Sequence, residues 1–182
     1  MLRKFNAIIS MAALVLLIIH AVMGGFNLLG ISAGGNMLMW LLADIMLGCI
    51  IVHIIIGIVL TVKSIRLSKK SGASYPRENR LFWLRRISGF AIIIFIVFHL
   101  SIFIVSNEGA VRLTAFEGAQ LIFSILLVAT VAVHIISNIK PLLISFGFKG
   151  IKFYVQDILF ILMIILLFAT TAFIVYFIRW NL

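Results

Sequence analysis

The stretch that decides the fold is residues 81–103, LFWLRRISGFAIIIFIVFHLSIF, which carries no charge after Arg86. No further charge occurs before Glu108, so at about 1.5 Å per helical residue this apolar run is long enough to cross a membrane. Ser88 lies eleven positions before His99, close to three helical turns, so a hydroxyl and an imidazole share one face. The stretch therefore predicts a transmembrane helix with a polar face, and His99 is the residue on it to explain.

The whole chain is similarly apolar. Of its 182 residues 64% are hydrophobic, and the mean hydropathy is +1.30, which indicates a membrane protein throughout. The net charge of +10 is carried mainly by short segments beside apolar runs, so it indicates membrane orientation and not a nucleic-acid partner. The single cysteine, Cys49, excludes an internal disulfide, a covalent Cys-x-x-Cys-His haem attachment and a cysteine-ligated cluster.

Five apolar segments predict an all-α integral membrane bundle in one domain, residues 1–182. The predicted transmembrane helices lie at about 5–23, 37–62, 82–105, 116–139 and 153–178. The first segment also has the basic start and small-residue end of a cleaved signal peptide, but His20 favours a retained span, because a disposable segment has no use for an imidazole. The basic connections predict a cytoplasmic N-terminus and an external C-terminus in the inner or plasma membrane.

The four histidines lie one on each of the first four spans. A lone intramembrane histidine is more often a packing residue or a proton relay than a ligand, but one on each of four helices indicates a common role. Counted from the cytoplasmic edge, His20 and His99 lie at roughly 22–24 Å, and His53 and His134 at roughly 8–14 Å. The sequence thus predicts an outer pair and an inner pair, as expected for two non-covalent b haems stacked across the bilayer.

Other metal sites do not fit this distribution. A zinc ion needs its ligands at one depth, and ferric-reductase-like and bc-type cytochromes carry two histidines on one helix. Gly24, Gly57 and Thr130 each lie four positions from a histidine, as small or hydroxylic residues on the ligand faces, although small residues also serve ordinary helix packing. The hydroxyl of Thr130, or a helix carbonyl, is expected to accept the second ring N–H of a ligand.

Charged residues suggest two further features. Five basic residues at the cytoplasmic surface either pair with the propionates of the inner haem or simply set the topology: Lys63, Arg66, Arg85, Arg86 and Lys140. Asp44 lies in the outer half of span two, about half a turn in phase from His53. It is expected either to take a proton from quinol beside the outer pair or to bond a neighbouring helix.

The chain resembles a known family in these residues: five helices, a histidine on each of the first four, and R-x-S-G at 86–89 ahead of His99. It looks like the dihaem cytochrome b anchor of succinate:quinone oxidoreductases and fumarate reductases of the single-subunit type. The most specific parts are HIIIGIVLTVKSIR (53–66) and YPRENRLFWLRRISGFAIIIFIVFHL (75–100).

The resemblance implies that His20 and His99 hold a distal haem, and His53 and His134 a proximal one. It further implies that the subunit, not catalytic alone, passes electrons between a membrane quinone, menaquinone or ubiquinone, and flavoprotein and iron–sulfur subunits on the cytoplasmic side.

Two alternatives stay open. One is another four-helix dihaem cytochrome, of the b561 type or serving an external flavoprotein. The other is a haem-free transporter or packing subunit with the histidines as proton relays.

Overall fold

The computed structural model describes residues 1–32, 37–70, 72, 80–105, 111–113, 116–148, 150 and 152–181. These residues form helices α1 (Leu2–Leu28), α2 (Met37–Lys70), α3 (Arg80–Ile102), α4 (Gly118–Ser145) and α5 (Lys152–Asn181). Strands β1 (Phe103–Val105) and β2 (Val111–Leu113) pair as a short antiparallel ladder between α3 and α4. All five helices are long and apolar enough to cross a membrane, which confirms the predicted all-α transmembrane class.

Helix α1 continues through the glycines at which the sequence predicts its end. Gly25 is buried against α5, where a Cβ atom would overlap the ring of Phe168, so this glycine permits close helix packing. The helix ends at Leu28, ahead of Gly30, whose φ of +73° is in the left-handed region that glycine favours. The predicted helix end near Gly24 was therefore wrong. The glycines there allow α1 to pack closely against another helix and do not form a turn.

The sequence predicts that α4 ends before Pro141. In the structure the helix continues past this proline and reaches Ser145. Proline has no N–H, so the carbonyl of Ser137, four residues earlier, loses its helical partner. Arg85 of α3 replaces that partner, since its Nε donates to the Ser137 carbonyl at 2.8 Å. A side chain from another helix thus satisfies the backbone group that the proline leaves unpaired.

Helices α2 and α3 also differ from the prediction at their ends. α2 continues beyond the predicted residue 62 to Lys70, because the first helix-breaking residue after it is Gly72, with a φ of +68°. α3 stops at Ile102 and not near residue 105, because the next three residues pair with β2.

The bundle consists of two helical hairpins and a fifth helix. α1 packs along α2, α3 packs along α4, and α5 packs against both α1 and α4. The buried apolar side chains form one cluster of Leu28, Ile102, Phe116, Ala172 and Phe173, and another of Ile135, Ile139, Leu143, Leu162 and Leu166. Because α5 contributes to both clusters, it holds the two hairpins together.

The outer faces of the helices are apolar. Large hydrophobic side chains such as Ile55, Phe90 and Phe160 are 58%, 66% and 69% exposed. An apolar surface of this extent is unfavourable in water and suits contact with lipid. The structure is that of a multi-pass membrane protein.

Candidate metal centre

The four histidine rings meet in two pairs. His20 of α1 faces His99 of α3 in the outer pair, with ring centroids 6.2 Å apart, and His53 of α2 faces His134 of α4 in the inner pair, at 6.3 Å. The described residues of α1 and α3, or of α2 and α4, form no extended packing interface with each other. Each pair therefore joins two helices of different hairpins, and these are the pairs that the sequence predicts.

The ring spacing fits a metal ion held between two imidazoles. A metal–nitrogen bond of about 2.0–2.1 Å, with roughly 1.1 Å more from each nitrogen to its ring centroid, places the centroids about 6.3 Å apart. Direct edge-to-face contacts between aromatic rings fall in the same range of distances. Whether a pair is a metal site or a direct ring contact therefore depends on which ring nitrogen is free to bind a metal. The planes of the paired rings are nearly perpendicular, at 76° in the outer pair and 84° in the inner pair.

The number of histidines in each pair bears on the kind of metal that it suits. Within the described ranges, no three or more His, Cys, Asp or Glu side chains gather as a metal-binding group. Each pair thus offers two protein ligands, which suits iron already held by a macrocycle, whereas protein zinc sites use three or four.

Serine hydroxyls contact both rings of the inner pair. Ser88 Oγ lies 3.1 Å from Nδ1 of His134, and Ser10 Oγ lies 2.9 Å from Nδ1 of His53. Ser88 was selected from the sequence because it shares a face with His99, but in the structure its hydroxyl contacts the other pair. Ser10 was missed, although it lies about 15 Å below His20 along α1, at the depth expected for the inner pair.

Thr130 does not have the role predicted for it. Its hydroxyl donates to carbonyls of its own helix, those of Leu126 and Leu127, at 2.8 and 2.9 Å. Such back-bonding is usual for threonine within a helix. The hydroxyl beside the His134 ring is that of Ser88.

The glycines near the pairs have different surroundings. A Cβ at Gly89 would lie 3.3 Å from Cε1 of His134, so glycine lets this ring approach α3. Gly24 faces Met39 of α2 at ordinary contact distance, which indicates packing, while no described atom lies within 4 Å of a Cβ built at Gly57. Open space thus adjoins Gly57, four residues after His53.

The five basic residues that the sequence predicts at the cytoplasmic surface have different surroundings. Arg85 bonds α4 close to the inner pair, through the Ser137 carbonyl. Arg86 covers the ring of Phe82, with its guanidinium carbon 3.4 Å from the ring centroid, and Lys140 is exposed.

Lys63 and Arg66 line an open groove on α2 together with apolar side chains. Arg66 comes thirteen positions after His53, which places it about 140° around the helix. This placement favours Arg85 over Arg66 as a partner for carboxylates at the inner pair.

Asp44 is exposed on α2. The grooves described in the structure are lined by other residues. Its predicted role in quinol oxidation stays a prediction.

The outer pair lies in an apolar environment. The His99 ring contacts Phe173 of α5 edge to face, with centroids 6.3 Å apart. Nδ1 of His20 is buried and has no hydrogen-bond partner among the residues that the structure describes. The two pairs therefore share their ring spacing but differ in the polarity of their surroundings.

Searches of protein-family models, of curated proteins and of solved structures find no match to this chain.

Proposed function

We propose that the protein is a dihaem cytochrome b, in which the outer pair and the inner pair each bind one non-covalent b haem. The observation that carries the proposal is the repeated ring spacing of 6.2 and 6.3 Å between histidines of non-packing helices. Such a group would be held by His20 with His99, or by His53 with His134, and would supply one-electron transfer.

The residues around the inner pair support this function. The serine hydroxyls at His53 and His134 engage Nδ1, which is the arrangement of a ring that ligates a metal through its other nitrogen. The open space beside Gly57 and the guanidinium of Arg85 suit a flat macrocycle with carboxylates toward the cytoplasm.

We further propose that the protein is the membrane anchor of a succinate:quinone oxidoreductase or fumarate reductase. Its N-terminus would be cytoplasmic and its C-terminus external, in an inner or plasma membrane. Exposed basic residues support a cytoplasmic docking surface at one end of the bundle: Arg3, Lys4, Lys69, Lys70, Arg80 and Lys140. The partners would be flavoprotein and iron–sulfur subunits, and the mobile electron carrier would be menaquinone or ubiquinone.

A spectrum of the purified protein tests the haem proposal. A reduced-minus-oxidised difference spectrum should show b-type haem, and extracted haem should amount to two groups per chain. The near-perpendicular rings should also give the strongly anisotropic low-spin ferric electron paramagnetic resonance signal of crossed axial imidazoles. The protein would be expressed with an ample supply of haem. If it then assembles fully but contains no haem, the proposal is refuted. That result would favour a haem-free transporter or packing subunit.

Gentle extraction from the native membrane tests the anchor proposal. We expect the subunit to co-purify with a flavin-containing and an iron–sulfur protein that are released from the cytoplasmic face by high salt. A haem-loaded subunit that purifies alone, or with a flavoprotein from the external face, would refute the anchor role and leave the haem proposal intact.

Replacement of the Asp44 carboxylate tests the quinone proposal. Asp44→Asn should leave both haem spectra unchanged and slow the reduction of haem by added quinol, because the proton acceptor is lost. Reduction kinetics equal to those of the unmodified protein would exclude Asp44 from quinol oxidation.

A further inference from the structure

Two serines on different hairpins contact the inner pair in the same way. Ser10 of α1 reaches Nδ1 of His53 across the first hairpin, and Ser88 of α3 reaches Nδ1 of His134 across the second. The arrangement is repeated in the sequence, since Ser10 precedes His20 by ten positions and Ser88 precedes His99 by eleven. Each odd-numbered helix of the two hairpins thus supplies one histidine to the outer pair and one hydroxyl to the inner pair.

Two contacts of Ser10 bear on the position of the proton on His53. A serine hydroxyl has one hydrogen to donate, and Ser10 donates it to the carbonyl of Asn6 at 2.7 Å. With its hydrogen on that carbonyl, the oxygen of Ser10 accepts at its contact with His53, which corresponds to the tautomer with the hydrogen on Nδ1.

The hydrogen-bond donors and acceptors around His134 can be assigned in the same way. The hydroxyl of Ser88 lies 3.3 Å from the carbonyl of Arg85, to which it can donate, and 3.1 Å from Nδ1 of His134. When this hydroxyl donates to the Arg85 carbonyl, its oxygen accepts from the His134 ring, whose hydrogen is then on Nδ1. Ser88 is only 5% exposed, so bulk water does not replace it in this role.

This protonation leaves Nε2 of both inner histidines with a free lone pair. A neutral imidazole carries one N–H, and placing it on Nδ1 makes Nε2 the ligating nitrogen. A hydrogen bond from the opposite ring nitrogen also makes the imidazole a stronger electron donor, which favours the ferric over the ferrous state of a bound haem.

We propose that Ser10 and Ser88 are positioning residues that hold His53 and His134 in the Nδ1–H form and lower the reduction potential of the inner haem. This inference rests on the proposed haem function and adds that the inner site is tuned from both hairpins. It predicts an effect confined to the inner haem.

A redox titration of the purified, haem-loaded protein tests the proposal. Ser10→Ala and Ser88→Ala should each raise the midpoint potential of the inner haem and leave that of the outer haem unchanged. The haem signal that His134→Ala abolishes identifies the inner haem. Ser10→Thr, which keeps the hydroxyl, should restore the original potential.

Ser124→Ala is the matched control. Ser124 is 1% exposed and its hydroxyl donates to the Gln120 carbonyl of its own helix, so its loss removes a buried hydroxyl without touching a histidine. Both midpoint potentials should stay unchanged in this variant. If an alanine variant does not assemble, the cysteine variant of the same serine, close in size but a poor acceptor, is titrated in its place.

The outcomes separate the two proposals. An inner potential that stays unchanged, or an equal shift of both haems, overturns the positioning role while the dihaem function stands. Selective loss of the inner haem supports it, because ligation then depends on the hydroxyl. Unmodified protein without haem overturns both.

Discussion

Each histidine is the only one on its helix, so a single substitution removes one half of one pair. Under the proposed function, such a substitution would remove one of the two imidazoles that hold a haem between the two hairpins. The four side chains therefore divide into two independent sets of two.

Replacement of either member of a pair should have the same result. His20→Ala or His99→Ala should halve the haem content and spare the inner haem, and His53→Ala or His134→Ala should spare the outer haem. Haem-to-protein ratios and low-temperature difference spectra measure this. Thr130→Ala, which removes a hydroxyl bonded only to its own helix among the described contacts, should retain both haems. Loss of the inner haem alone from a His20 variant would contradict the pairing.

Gly89 should tolerate no larger side chain. Gly89→Val places methyl groups beyond a Cβ that already lies 3.3 Å from the His134 ring, so the ring must move. Overpacking of this kind costs about 1–3 kcal/mol, and we expect a lower melting temperature and loss of the inner haem. Gly48→Ala is the control, since no described atom lies within 4 Å of its Cβ position. Full inner-haem occupancy in Gly89→Val would show that the ring is not confined there.

At the scale of the helix, Pro141 and Arg85 act together. The proline removes the N–H that would pair with the Ser137 carbonyl, and Arg85 donates to that carbonyl from α3. The proline in α4 thus leads to a hydrogen bond between α3 and α4.

A double-mutant cycle measures this dependence. Arg85→Ala should lower the free energy of unfolding by about 1–3 kcal/mol, because the Ser137 carbonyl loses its partner. In a Pro141→Ala background the helix supplies its own N–H, so the same change should cost less than about 1 kcal/mol. Denaturant titration in detergent at matched haem content provides the values. Equal costs in both backgrounds would show that the two residues are independent.

The same residues show what the sequence predicts and what it does not. Five spans and the pairing of the histidines follow from local hydropathy and from counting residues along helices. The ends of α1 and α4 do not, because Gly25 and Pro141 are accommodated by Phe168 and Arg85 of other helices. Ser10 was overlooked for the same reason, since its partner His53 is 43 residues away and the contact depends on how the first hairpin packs.

At the scale of the molecule, the basic ends of α1, α2 and α3 should all face the cytoplasm. In a Cys49→Ser background, Ile31→Cys, at a position 69% exposed at the opposite end, should react with a membrane-impermeant maleimide on intact spheroplasts. Lys70→Cys should react only after permeabilisation, since the positive-inside rule predicts the basic end of α2 on the inner side. The reverse pattern of labelling would invert the topology and exclude a cytoplasmic partner at the basic end.

The division of each histidine pair between the two hairpins has a consequence for biosynthesis. When α1 and α2 have entered the membrane, the nascent chain carries one ligand of each pair and no complete pair. The outer pair is completed only when α3 arrives, and the inner pair when α4 does. Under the proposed function, no haem can therefore be held by two histidines before α3 has been inserted. A chain whose translation stops after α2 therefore contains no complete pair.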